Sequence, residues 1–307
     1  FFFASCQPPT PGALTRNAIV RTIRNRIRKR SDTMEQTLWQ WEKRAFRGDV
    51  QAQREVGDQY FFAAYEEEKE ELLQRSLYWY GMGARAGDAG CQYDLAYQYE
   101  HGLGTEPDIR KAAYWYARAA VQELPEAENN LGHLYETGCG VVQNYELAVY
   151  WYGRSARHED ADGQCNLAIM YQFGYAGEAD YKKAAMWYTQ AAEQDNAIAQ
   201  NNLGYLYETG RGVDQDYTEA AYWYRLAAEA GDGPAANNLG QLYEQGLGVE
   251  EDPEKAAVWF ARSARTGYTE GIRNYIRVLE AGQGLCQDKK AAAYWRRQLE
   301  EDTNGKG

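Results

Sequence analysis

The chain has 307 residues and a formal net charge of −12, with 14 % aromatic residues, 26 of them Tyr. That aromatic content excludes an intrinsically disordered chain. The acidity excludes long-range attraction to nucleic acid or anionic lipid and favours basic partners. No stretch approaches the ~20 consecutive apolar residues of a membrane-spanning helix.

Residues 1–33 stand apart. They hold seven basic residues (Arg16, Arg21, Arg24, Arg26, Arg28, Lys29, Arg30) against Asp32 alone, which leaves the rest of the chain at −18. With Pro8-Pro9-Thr10-Pro11 among them, they are expected outside the fold, as a disordered segment or an over-extended reading frame with Met34 as the real start. Ile19, Ile23 and Ile27 beside the arginines also allow an amphipathic basic helix for targeting or membrane contact. The opening Phe1-Phe2-Phe3-Ala4-Ser5-Cys6 has a further reading, the tail of a truncated secretory signal with Cys6 in a lipobox-like place.

Repeat-like sequence starts just after Met34. Ala45-Phe46-Arg47-Gly48-Asp49 and Tyr60 read as an atypical first repeat, spaced 39 residues from its successor and carrying the acidic run from Glu66 to Glu71. From there Trp79, Trp115, Trp151, Trp187, Trp223, Trp259 and Trp295 follow one another at intervals of 36 residues without a gap. Self-similarity at such a period is the signature of a solenoid, in which each repeat buries its apolar face only against its neighbours.

Counted from each tryptophan, leucine recurs at +16 (Leu95, Leu131, Leu167, Leu203, Leu239) and tyrosine at +20 (Tyr99, Tyr135, Tyr171, Tyr207, Tyr243). Glycine recurs at +23 from Gly102 to Gly282, and at +25 except where Ala176 replaces it. Alanine columns lie at +5 (Ala84 to Ala264) and +33 (Ala112 to Ala292). The positions +16, +19 and +20 have helical spacing and form one buried stripe on a helix A. The first glycine stops that helix, the second turns the chain back, and a helix B follows, whose alanines let neighbours approach while Trp and the adjacent Tyr fill the gaps. Near the end Tyr275 replaces the leucine, Leu279 the tyrosine, and Arg296-Arg297 follow the last tryptophan, as a capping repeat requires. The organisation read from this is a segment 1–33, a solenoid over residues 34–300 with an atypical first repeat, six 36-residue repeats and a C-terminal cap, and a disordered tail at 301–307.

The pattern N-N-L-G-x-L-Y-E-x-G-x-G-V, then K-A-A-x-W-Y-x-x-A-A, is carried with few substitutions by residues 199–213 with 219–228 and by 235–249 with 255–264. It resembles the Sel-one-like repeat, a relative of the tetratricopeptide repeat, and the resemblance covers roughly residues 39–300. It implies an all-α, right-handed α/α superhelical solenoid of helix-turn-helix repeats that serves as an adaptor or assembly scaffold without catalysis of its own.

Catalytic chemistry finds little to stand on. The G-x-G turns lack the preceding strand and third glycine of a dinucleotide site. His101, His133 and His158 are the three histidines, none in a zinc spacing, and there is no G-x-S-x-G elbow or Walker-type lysine. No cofactor and no metal is expected. Cys91, Cys139, Cys165 and Cys286 share no register, so repeated disulfides are not expected and free thiols in a reducing compartment are.

Recognition residues are sought where the repeats vary. On helix A, position +18 lies about 200° around the axis from the buried leucine, and with +14 and +22 it forms a row facing away from it. This row contributes Asn129, His133, Ile169, Phe173, Tyr205 and Gln241. Two constant ladders flank it: glutamates including Glu136, Glu208 and Glu244, read first as a solvated face and second as an acidic guide, and asparagines including Asn202 and Asn238, read equally as backbone-bonding structure or as peptide-holding groups.

The function expected is a non-catalytic protein–protein adaptor or scaffold that binds a polypeptide segment along the concave helix A face, from roughly Asn129 to Gln245. The alternative is a cell-envelope assembly scaffold anchored through a lipidated Cys6, and a remote third is a hydrolase using clustered carboxylates. The partner expected is a protein or extended peptide, basic or dipolar, with no nucleic acid and with a membrane only if Cys6 is lipidated. The expected setting is cytoplasmic, with a periplasmic or outer-membrane lipoprotein as the alternative.

Overall fold

A computed structural model describes residues 38–67 and 69–304, the last three by their backbone. Residues 1–33, Cys6 and Met34 lie outside the described residues. Among the described residues the fold is all-helical, without a strand. The chain divides into two compact units at Glu159 and Asp160. The first contains α1 (Leu38–Ala45), α2 (Val50–Glu67), α3 (Glu70–Arg85), α4 (Ala89–His101), α5 (Ile109–Ala120), α6 (Pro125–Thr137) and α7 (Tyr145–Arg157). The second contains α8 (Ala161–Phe173), α9 (Tyr181–Ala192), α10 (Ala197–Thr209), α11 (Tyr217–Glu229), α12 (Gly233–Gln245), α13 (Pro253–Arg265), α14 (Thr269–Ala281) and α15 (Lys289–Asn304).

Each repeat is a helix pair whose ends are set by sequence. Among the described residues eleven helices, beginning with α2, start behind an Asp or Asn whose side chain accepts a backbone N–H of the first turn, as Asp252 does from Lys255 at 2.9 Å. Three of these caps, Asp108, Asp180 and Asp252, also pair with Lys111, Lys183 and Lys255. Each of those ammonium groups lies over a helix A tyrosine: Tyr99, Tyr171 or Tyr243.

At the other end of helix A the six glycines of the first column take φ between +65° and +74°, the left-handed cap expected of them. The second glycine does more than turn the chain. A Cβ at Gly140 would stand 2.6 Å from the carbonyl oxygen of Ile109, at the start of the preceding helix B, and Gly212 and Gly248 press in the same way on Tyr181 and Tyr217. That loop packs backbone against backbone.

The core within each unit is built from one row of helix B. In α5, Ala112, Tyr116 and Ala120 follow i, i+4, i+8 spacing and are each 0 % exposed. Ala184, Tyr188 and Ala192 repeat the row in α9, and Ala220, Tyr224 and Ala228 repeat it in α11. Opposite these rings helix A carries glycine or alanine: a Cβ at Gly132 would meet the Tyr152 ring at 2.8 Å, and one at Gly204 the Tyr224 ring at 2.8 Å, while Ala96 and Ala168 share the clusters of Tyr116 and Tyr188. The tryptophans are less central than their spacing predicts. Trp79 is buried, but Trp115, Trp151, Trp223 and Trp259 are half-buried at the edges of these clusters. The interior aromatic is the residue after tryptophan.

The terminal pairs differ from the rest. The first, α2 and α3, has helices of 18 and 16 residues where the inner ones have 12 or 13, and Phe46 closes over Trp79 with ring centroids 4.6 Å apart. The last helix, α15, continues to Asn304, past the boundary at 300 that the repeat suggests. No glycine or proline interrupts it before Gly305.

Candidate recognition surfaces

In the first unit the expected residues lie on α6. The His133 side chain is 58 % exposed and Asn129 is half-buried. Glu136 accepts the Tyr152 hydroxyl at 2.6 Å, and its other neighbour, His133 Nδ1, is 3.9 Å away. Burial pushes the Glu136 carboxyl up, but the neighbouring His133 ring and the hydrogen bond from Tyr152 outweigh it and hold the group below the ordinary carboxylate range. Glu136 in turn raises His133.

In the second unit Phe173, at the end of α8, is 60 % exposed beside Tyr175, with ring centroids 5.8 Å apart. Ile169 is half-buried against the cluster of Tyr188 and Leu203. Tyr205 packs against the core clusters on both sides of α10, with the Arg211 guanidinium 6.0 Å from its ring. Asn202 and Gln241 are half-buried.

The two flanking ladders are engaged inside the chain. Tyr224 donates to Glu208 at 2.5 Å, Tyr116 to Glu100 at 2.7 Å and Tyr188 to Gln172 at 2.7 Å, always from the residue after tryptophan to an acceptor 16 positions earlier. Where Phe260 lacks the hydroxyl, Glu244 is instead held by both terminal nitrogens of Arg277, at 2.8 and 2.9 Å. The reading of Glu136, Glu208 and Glu244 as a solvated face is therefore corrected. A buried phenol needs an acceptor, and the carboxylate supplies it. The asparagines bond across repeats: Asn238 donates to Asn201 at 3.2 Å and Asn274 to Asn237 at 2.8 Å. The row facing away from the leucine also dips inward, since Cys165 and Asn237 are each 3 % exposed.

The outer side of helix B shows what the periodicity left unseen. The residue before each tryptophan is exposed: Tyr78, Tyr114 and Tyr150 in the first unit, Met186, Tyr222, Val258 and Tyr294 in the second. A mostly apolar groove of about 580 Å³ opens beside Tyr114, Arg118 and Val121. Among the described residues no three His, Cys, Asp or Glu side chains are grouped to hold a metal ion, and no helix is long and apolar enough to cross a membrane.

The family model of the Sel1 repeat matches residues 50–88, 89–122, 125–160, 161–196, 197–232 and 233–268. Among solved structures, a protective antigen present in uropathogenic Escherichia coli strains is 32 % identical over 88 % of this chain, with a TM-score of 0.78. This chain spans 57 % of that protein's length. A Sel1 repeat protein from Oxalobacter formigenes is 27 % identical, with 81 % of this chain and 99 % of that one covered and a TM-score of 0.73. No curated protein matches the sequence.

Proposed function

Because the chain belongs to the Sel1 repeat family, whose members generally act as protein-interaction scaffolds, we propose that it is a non-catalytic adaptor that binds a polypeptide segment along the helix A faces of its repeats. One observation carries this reading. The side chains that change from repeat to repeat, His133 on α6 and Ile169, Phe173, Tyr205 and Gln241 on α8, α10 and α12, reach the surface of a framework whose buried positions hardly change. Variation on a constant scaffold is how a solenoid acquires a specific partner. With Glu136, Glu208 and Glu244 bonded internally, attraction of a basic segment rests on the net charge of −12, which steers encounter and weakens with salt. A cytoplasmic setting is part of this proposal, supported by the unbridged Cys91, Cys139, Cys165 and Cys286. The lipid-anchored alternative rests on Cys6, outside the described residues.

The test is selection of displayed peptides on the full chain. Phe173→Ala with Gln241→Ala, and separately His133→Ala, should weaken selected peptides at least ~10-fold, a loss of about 1.4 kcal/mol, at unchanged melting temperature. Tyr205 is left intact because it packs against both neighbouring clusters. Should these variants bind normally while Tyr114→Ala or Tyr222→Ala abolishes binding, the outer helix B side is the recognition surface and the proposal fails.

A further inference from the structure

The outer aromatic platform repeatedly carries a guanidinium of its own chain. Three residues after the tryptophan, Arg118 lies 5.7 Å from the Tyr114 ring and 5.9 Å from Trp115, Arg154 lies 5.4 Å from Trp151, and Arg262 lies 4.6 Å from Trp259. Such stacking joins a planar, weakly hydrated cation to the negative face of a ring. In the first repeat the corresponding residue is Met82. Gln190, Leu226 and Gln298 also replace the arginine; the first repeat adds charge and space.

There the platform of Tyr78 and Trp79, with rings 5.1 Å apart, opens on a cavity of about 610 Å³ walled by Phe46 and Tyr60 and edged by Glu42 and Glu71. That volume is within the usual range of a ligand cleft. Phe46 is 70 % exposed and Tyr78 50 % exposed, so both offer a face to a ligand. Among the described residues the one cation lining the cavity, Arg75, is already engaged by its wall. Its guanidinium lies 5.4 Å from the Tyr60 ring and donates to the Tyr60 hydroxyl at 3.2 Å, while that hydroxyl donates to Glu42 at 2.5 Å. Two carboxylates against one guanidinium leave the cavity negative.

We propose that this cavity, between α1, α2 and α3, binds the guanidinium of an arginine side chain from a partner polypeptide, stacked on Tyr78 and Phe46 and paired with Glu71 and Glu42. Arg75 on Tyr60 shows the same recognition already made once within the cavity, and Arg118, Arg154 and Arg262 show it on the equivalent platforms. The site lies outside the stretch from Asn129 to Gln245 and does not depend on the helix A reading there, so either can fail alone.

The test follows the Trp79 indole resonance of the isotope-labelled full chain during titration with acetyl-arginine amide, acetyl-lysine amide or the neutral isostere acetyl-citrulline amide. The arginine probe should saturate and bind at least ten-fold more tightly than citrulline, with lysine between them. Glu71→Gln combined with Tyr78→Ala, both exposed positions, should remove at least ten-fold of that affinity without lowering the melting temperature. Equal response to citrulline, or unchanged affinity in the double variant, would overturn the proposal. Binding seen only after Arg75→Gln would overturn it too, because the cavity would then be filled by its own arginine.

Discussion

Replacing Tyr152 with phenylalanine removes one hydroxyl and leaves the ring, which is 0 % exposed, on its glycine seat. What is lost is the 2.6 Å bond to Glu136. A hydrogen bond to a charged group contributes ~1.5–3 kcal/mol. The Glu136 side chain is 28 % exposed, so water replaces part of the bond and the expected cost at pH 7 is ~1–2 kcal/mol. The pH dependence has a definite sign. The carboxyl is held low by the folded state, so its stabilisation is present above the unfolded value of about 4.3 and disappears as pH falls through the folded value. The difference between wild type and Tyr152→Phe should therefore shrink between pH 5 and about pH 3. Tyr188→Phe is the control, because its acceptor is the uncharged Gln172 amide. It should cost ~0.5–1.5 kcal/mol at either pH. Urea unfolding followed by circular dichroism at pH 7 and pH 3 reads both. Equal, pH-independent costs for the two variants would refute the assignment of the glutamate ladder as charged acceptors for buried phenols.

Tyr116→Ala should cost ~3–5 kcal/mol as a core truncation, whereas Tyr114→Ala, at a position 54 % exposed, should stay within about 1 kcal/mol; thermal melts of the pair decide which aromatic column is interior. Gly212→Ala, at φ +76° with its Cβ driven against the Tyr181 carbonyl, should destabilise by more than ~3 kcal/mol. Gly231→Ala, at φ +99° in open space, should cost about 1–2 kcal/mol by the same melts. Mass spectrometry after alkylation of the native chain should find Cys286 modified and Cys91 and Cys165 protected until denaturation. Burial, helped by the Asp162 charge, pushes the Cys165 thiol up to about 12, and burial pushes Cys91 up further, so neither supplies thiolate near neutral pH.

The helix pairs, their glycine stops and the leucine stripe were legible because each is a local matter of period and backbone conformation. The choice of interior aromatic was also legible, but through a different count. Tyr116 is four residues from each of two alanine columns, at Ala112 and Ala120, whereas Tyr114 is in neither row. The tryptophan ladder never varies, yet most of its members are at the cluster edge. The destination of the glutamates was not legible from spacing on one helix. Their partners stand 16 residues on, across the next turn, and the clue was a pair of substitutions: Phe260 arrives where Arg277 takes over Glu244. The cavity beside Trp79 depends on how the atypical first repeat packs, which no repeated column specifies.

The glycine that presses on the preceding repeat's carbonyl group has an evolutionary consequence. Where spacing between repeats is fixed by peptide meeting peptide, it does not scale with the size of any side chain. Duplicating a repeat of 36 residues then adds a unit of standard thickness, and surface residues such as His133 or Phe173 can drift without changing the register of the stack. Mutations that alter specificity are thereby separated from mutations that alter assembly, so a lineage can change partners without rebuilding its frame.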